Sequence, residues 1–474
     1  MNKKYFDNGY MKFFWIVVII VSAFIFFNIK SGVPKSILVS SLSIISISLL
    51  ILFIWCRKPE KFGLPILPIY ALLHIVFLAF PLINADNLSI AQYAHMNKLV
   101  AALTVTIFLL FAMIGWLISS SLKIRKPAQI LMFTEYEGEC IFLSVIILSI
   151  VIKWVIYSNF INLGLLYSIF LFLTSGIAIL SIFVLVYRFG LGLLKNQILF
   201  FVLFFLFCVT DASNFLLISV TSLVIFSIIA YFLASKKIPW VALAIFLIII
   251  PTLHLGKREM RVRYWDNTDY KHSPLEYPKI YSEWFNSSVK AISENKSDNL
   301  IDESDKHSSV LERASLIHML LLAQKDTPKR LPYLYGATYS YILPSLIPRI
   351  ISTEKARGTE GTHYLSIYYG LLDYEASQST SISWGMLTEA YVNFGLLGCI
   401  SIGLILGLFF GWISARARGY PLMSFRLLYA VLVMFFSISS IESVLSTAVT
   451  SIFHASIGLA ILSLFIMKNR VIQN

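Results

Sequence analysis

The sequence predicts an all-α polytopic membrane protein, with about twelve transmembrane helices and a large, partly helical extracytoplasmic segment. Three observations predict it. Of 474 residues, 58% are hydrophobic and only 13% charged, which is more apolar surface than a soluble domain keeps from water. The apolar residues fall in runs of bilayer-crossing length along nearly the whole chain. The short loops between them alternate in charge.

The first four runs lie near 11–29, 36–55, 64–84 and 99–118. The next five lie near 140–158, 166–187, 197–210, 215–234 and 238–255. After a long polar stretch, three more lie near 391–414, 425–441 and 451–467. The first run lacks a small-residue cleavage site, so it reads as a retained span.

Lys3 and Lys4 precede the first run, and Arg57, Lys58 and Lys61 follow the second. Lys123, Arg125 and Lys126 follow the fourth, Arg188 and Lys195 the sixth, and Lys236 and Lys237 the eighth. Arg416, Arg418 and Arg426 follow the tenth, and Lys468 and Arg470 close the chain. Loops on the other side carry almost no Lys or Arg, with Lys30 and Lys35 as exceptions. The positive-inside rule then makes both termini cytoplasmic. The chain divides into an N-terminal bundle (1–255), an extracytoplasmic segment (256–383) and a C-terminal bundle (384–474).

The net charge of +13 sets topology rather than binding nucleic acid, because much of it sits in those short loops. Cys56, Cys140, Cys208 and Cys399 lie in or beside apolar runs, so no disulfide framework or metal site is implied. No internal repeat supports an inverted-repeat transporter.

The segment 256–383 has parts. Tyr281, Trp284, Phe285, Val289 and Ile292 fall at helical spacing, which predicts a helix along the membrane or against the bundle. The run 294–309 is polar. The run 310–323 is apolar but too short to span. The run 331–348 is uncharged and contains Pro332, Gly336, Pro344 and Pro348, which reads as re-entrant or interfacial structure. Whether these last two runs span is left open.

Charge within the spans is sparse. Lys153 lies in the outer third of the fifth run, where it either snorkels to the interface or faces a lipid phosphate. His74 and His454 read as packed or hydrogen-bonded helix residues. The outer segment opens with Lys257, Arg258, Arg261 and Arg263 directly after a span. Arg258 and Arg261 share a helix face if the ninth helix continues outward. Guanidinium groups there suit a diphosphate at headgroup level, or simply anionic lipid. Arg313, Lys329, Arg330, Arg349, Lys355 and Arg357 follow, interleaved with tyrosines that include Tyr339 and Tyr391. Such rings form a membrane belt or stack on sugar faces.

Two stretches carry a resemblance. One is Arg313, then Pro332-Tyr333-Leu334-Tyr335-Gly336-Ala337-Thr338-Tyr339, then Ile347-Pro348-Arg349 and Lys355. The other is Thr388-Glu389-Ala390-Tyr391-Val392-Asn393-Phe394-Gly395-Leu396-Leu397-Gly398. Together they resemble the Wzy-type oligosaccharide repeat-unit polymerases of bacterial O-antigen, capsule and exopolysaccharide synthesis. The motif likeness covers about 310–400; elsewhere only hydropathy and topology match. The chain departs from the family pattern in carrying Ile350–Glu354 where Trp-Pro is usual, and Ala356 where Pro follows the lysine.

The resemblance implies a GT-C-like helical membrane enzyme of the bacterial cytoplasmic (inner) membrane. It implies transfer of a growing glycan from one polyprenyl diphosphate to a lipid-linked repeat unit, with no nucleotide sugar. No cofactor or metal is expected, because no His/Asp/Glu cluster in the outer segment has ligand spacing and arginines can stabilise a diphosphate leaving group. Flippase and chain-length-regulator proteins would be its partners, besides the lipid bilayer. The chemistry needs a cationic clamp for the diphosphate, a base for the attacking hydroxyl and alignment of two lipids. Arg258, Arg261, Arg313 and Arg349 are the clamp candidates, and Arg263, Lys355, Lys153, Tyr339 and Tyr391 are further substrate-binding candidates. For the base, Glu389 ranks above His363. Glu389 lies where the chain re-enters the bilayer, and could instead bond a helix start near the tenth span. His363, in Gly361-Thr362-His363-Tyr364, reads as a surface residue of a mobile loop. Gly395 and Gly398 read as helix-packing positions.

Three other readings compete. An O-antigen ligase shares this topology and a basic outer segment. A flippase or other transporter would line a central cavity with polar groups from several spans. A non-catalytic membrane assembly partner is the third.

Overall fold

The computed structural model describes residues 3–29, 34–83, 88–122, 127, 129–157, 166–213, 215, 217–265, 274–297, 315–347 and 356–471. Each of the twelve apolar runs is a helix. They are α1 (Lys3–Ile29), α2 (Lys35–Arg57), α3 (Ile66–Ile83), α4 (His95–Ser120), α5 (Glu135–Tyr157), α6 (Leu166–Gly190), α7 (Gln197–Ala212), α8 (Leu217–Ser235) and α9 (Trp240–Trp265). The intervening polar stretch supplies α10 (Tyr277–Ser297), α11 (Ile317–Asp326) and α12 (Glu360–Tyr368). Then come α13 (Gly385–Ala417), α14 (Phe425–Ser439) and α15 (Leu445–Ile466). Among the described residues nine helices are long and apolar enough to cross a membrane; Gly176–Gly190, Gln197–Ala212 and Phe425–Ser439 are shorter apolar helices. The described strands are two four-residue pieces, Gln129–Met132 and Lys468–Val471.

The chain folds as two compact units, one of 1–131, 311–457 and 469–474, the other of 132–310 and 458–468. In the first unit α4 and α13 pack backbone to backbone. A Cβ added at Gly403 would lie 2.5 Å from Phe108 O, at Gly407 1.9 Å from Ala112 O, and at Gly411 2.8 Å from Trp116 O. Reciprocally, a Cβ at Gly115 would lie 2.4 Å from Leu404 O. Glycines four apart on one face remove the side chains that would hold the helices apart, and van der Waals contact replaces a hydrophobic drive that lipid does not supply.

α3 is not regular: Ile75–Ala79 is a π turn. The wider turn leaves the Phe77 carbonyl free to accept the Leu316 N–H at 2.9 Å, which anchors the start of α11. His74, just before the turn, is buried at 1% exposure, with Nδ1 2.9 Å from Tyr70 O. α11 is ten residues long, too short to span. The uncharged run beyond it contains a 3₁₀ turn, Ala337–Tyr341, and a short helix, Ile342–Leu346.

In the second unit α9 continues past its apolar part to Trp265, so Arg258 and Arg261 do stand on one helix. α10 folds back on it. Gly256 allows the approach, since a Cβ there would meet Ser288 N at 2.8 Å, and Trp284 Nε1 donates to Leu253 O at 2.8 Å. The expected helix is present, but its packing face differs from the expected one. Tyr277, Ile280 and Trp284 pack on Phe215 and Met260, while Phe285 and Val289 are 55% and 45% exposed. The ridge of residues three and four apart through Trp284 fits the groove beside α9, and it turns Phe285 and Val289 away.

Candidate functional site

The site is built on a break in α13. Phe394 (φ −140°, ψ 16°) and Gly395 (φ 62°, ψ −147°) leave helical geometry, so the helix divides into 385–393 and 396–417. The second part has roughly 22 residues, about 33 Å of helix, enough to cross a bilayer. Glycine is required at 395: the positive φ excludes most side chains, and a Cβ would meet the Tyr333 hydroxyl at 2.9 Å. Gly398 is the packing position expected, because the two parts close on each other and a Cβ there would lie 2.2 Å from Ala390 O.

A broken helix leaves carbonyls without intrahelical partners. The strap 332–341 satisfies them. Leu334 N–H donates to Val392 O and Tyr335 N–H to Asn393 O, both at 3.1 Å. The Asn393 side chain completes the seam: its Oδ1 accepts the Gly336 N–H at 2.9 Å, and its Nδ2 donates to Thr338 Oγ1 and to Glu389 O, both at 2.8 Å. The proline-rich run is thus templated on the short helix by these hydrogen bonds.

Glu389 is fully buried on that short helix. Its Oε2 accepts the Leu445 N–H at 2.6 Å, at the first turn of α15. The helix start it bonds is therefore that of the last apolar helix, not of the tenth run. Its Oε1 is buried without a hydrogen-bond partner among the described residues. Tyr339 Oη and His363 Nδ1 share that condition. Tyr339 is coupled to Glu389: burial first, then the nearby carboxylate, pushes its phenol up. Buried polar atoms in native folds nearly always have partners, so the orphaned Glu389 Oε1, with the Tyr339 hydroxyl near the same carboxylate, marks a place built to receive a donor.

His363 is not a mobile surface residue. It lies in α12 and is 7% exposed. α12 is pinned to the start of α15, where Ser446 Oγ and Thr447 Oγ1 both donate to Gly358 O at 2.9 Å. Gly361, two residues before His363, brings the helix against the carboxylate: a Cβ there would stand 3.7 Å from Glu389 Oε1. Tyr391 packs elsewhere, on the apolar cluster of Trp384, Tyr369, Val392 and Leu365.

Three candidate cations of the second unit, Lys153, Arg261 and Arg263, have protein partners. Lys153 is buried in an ion pair with Asp211 and stands 3.9 Å from the centre of the Phe207 ring, so its charge is engaged inside the unit. Arg261 Nη2 donates to Phe215 O at 3.1 Å. Arg263 bridges Glu259 at 2.8 Å and Glu283 at 3.1 Å. Protein carboxylates thus meet the charge of Arg263 just beyond an apolar helix. Arg258 is on α9, but its side chain lies outside the described residues, as do Arg313, Arg349 and Lys355. Among the described residues no group of three or more His, Cys, Asp or Glu is placed to hold a metal ion.

Asn393, Thr338 and Leu445 were missed as site residues. Asn393 had a legible signal, since it lies four residues after Glu389 and so shares its helix face. Leu445 had none, because a backbone N–H has no sequence signature.

Helix content and apolar helices define the class: an all-α, multi-pass membrane protein. Compared with protein-family models, with curated proteins and with solved structures, the chain matches none.

Proposed function

We propose that the chain is a glycosyltransferase that polymerises polyprenyl-diphosphate-linked oligosaccharide repeat units on the outer face of the cytoplasmic membrane. The observation that carries this reading is Glu389, a buried carboxylate with one oxygen anchored on Leu445 N–H and the other lacking a partner among the described residues. An acceptor sugar hydroxyl bound there would donate to Oε1. As its oxygen attacks the anomeric carbon of the donor glycan, the bond from that carbon to the lipid diphosphate breaks. Glu389 takes the hydroxyl proton, and the lipid diphosphate departs with the bonding pair. Arg349 and Arg313, from the same stretch of sequence, are the clamp candidates for that diphosphate. Arg261 and Arg263 already have protein partners. Tyr339 is the candidate for a sugar contact beside Glu389.

The test is a deletion strain. Loss of long surface glycan, with single lipid-linked repeats retained and still exposed outside the membrane, is the expected result. Repeats trapped inside would point to a flippase, and free long chains on the carrier lipid would point to a ligase.

A further inference from the structure

Thr338 is fully buried on the turn that the strap makes over the broken helix. The Asn393 carboxamide beside it has a fixed orientation, because its oxygen is taken by the Gly336 N–H at 2.9 Å. Its nitrogen must then face Thr338, and it donates to Thr338 Oγ1 at 2.8 Å. A hydroxyl that accepts this way keeps its own proton to give. The same Asn393 nitrogen also donates to the backbone carbonyl of Glu389 at 2.8 Å, which sets the threonine and the glutamate side by side. The Glu389 carboxylate interacts with the Thr338 hydroxyl, and its Oε1 lacks a partner among the described residues. An uncommitted proton and an orphaned lone pair thus belong to two fully buried neighbours, where leaving both unmade is costly.

We infer that Thr338 is a positioning residue for Glu389: Asn393 orients the Thr338 hydroxyl so that its proton goes to the Glu389 carboxylate and holds that carboxylate in one rotamer for the acceptor hydroxyl. This rests on reading Glu389 as the base. A carboxylate offers about four lone-pair directions, so Leu445, Thr338 and a sugar hydroxyl can be served together. The strap has a job beyond covering the helix break: it carries the group that aims the base.

The experiment uses the full chain in nanodiscs, with the single lipid-linked repeat unit that the deletion strain accumulates. Elongation kinetics are measured for wild type, Thr338→Ser, Thr338→Val, Glu389→Gln and the Thr338→Val/Glu389→Gln double variant. Expected are Thr338→Ser within about twofold of wild type, and Thr338→Val lower in kcat by roughly ten- to a hundredfold, the worth of one hydrogen bond to a charged group, with KM unchanged. In the Glu389→Gln background Thr338→Val should cost nothing further, because its effect passes through the lost carboxylate. Thr338→Ala takes the place of valine if valine does not fold. Thr338→Val at the wild-type kcat, or a loss that multiplies in the double variant, overturns the positioning role while Glu389 stands. Glu389→Gln at the wild-type rate, or a wild-type chain that elongates nothing, overturns the functional reading and the inference with it.

Discussion

Glu389 and Leu445, 56 residues apart in sequence, share a 2.6 Å hydrogen bond from backbone N–H to carboxylate Oε2. The bond ties the short arm of α13 to the first turn of α15. A negative charge at a helix start is favourable, because the first N–H groups have no intrahelical acceptors. The same bond leaves Oε1 as the oxygen for the proposed chemistry.

Glu389→Gln keeps an acceptor for Leu445 N–H and should fold and insert normally. It cannot take a proton, so elongation should fall by roughly 10²–10⁴-fold. Glu389→Ala should lose activity as completely and also lower stability by about 1–3 kcal/mol, because the Leu445 N–H loses its partner. Thermal unfolding in detergent beside an elongation assay separates the two effects. Polymer of normal length from the glutamine variant, present at wild-type level, would remove Glu389 from the chemistry.

Gly407→Leu should prevent assembly of the first unit, and Gly407→Ala should weaken it measurably. The added Cβ would stand 1.9 Å from Ala112 O, a backbone atom on a rigid helix that cannot move aside alone. Gly192→Ala is a useful control, since nothing lies within 4 Å of a Cβ there, although its φ of +71° carries its own strain. Protease resistance of the detergent-solubilised protein reads the difference; equal resistance of wild type and Gly407→Leu would mean that α4 and α13 do not touch at this point.

Lys153→Met alone should destabilise by about 3–5 kcal/mol, because it strands the buried Asp211 carboxylate. Lys153→Met with Asp211→Leu should recover most of that loss, since the desolvation cost of both charges disappears together. Unfolding midpoints of the single and double variants supply the comparison. A Lys153→Met variant as stable as wild type would show that this lysine does not hold the carboxylate.

Glu283 should make stability depend on acid. Its carboxyl is held below the usual carboxylate range by the hydrogen bond from Tyr264 Oη, and further by Arg263. A depressed carboxyl favours the folded state while ionised. Its contribution is whole above the ordinary carboxylate value and is lost as pH falls through the lower folded-state value. Glu283→Gln should therefore lie below wild type near neutrality and converge with it in acid. Parallel curves at all pH values would contradict the assignment.

Cysteines placed at Ser297 and at Asn474, in a background without the native cysteines, should differ in labelling by an impermeant thiol reagent in intact spheroplasts. The proposed topology, read from the charge alternation of the short loops, has the first outside and the second inside. Equal labelling would contradict it.

Hydropathy by itself determined the class of this protein and the position of its helices. An apolar run in lipid has to satisfy its backbone hydrogen bonds internally, and a helix does that within the run. The runs near 36–55 and 425–441 accordingly became α2 and α14 with ends moved by no more than two residues. The shortness of α11 was legible for the same reason. Tertiary structure decided what the polar groups do. Lys153 could have faced lipid, yet Asp211, on another helix, takes it; His363 sat in a stretch that read as loop, yet α12 forms where Gly358 and Gly361 dock on the start of α15. The same holds for α13, whose hydropathy runs unbroken through Phe394 and Gly395 while the backbone breaks there, because the strap supplies the donors that make a break affordable. Secondary structure in a membrane is a local requirement written into each run, whereas the partner of a buried charge or a freed carbonyl is chosen from the whole chain once the helices have met.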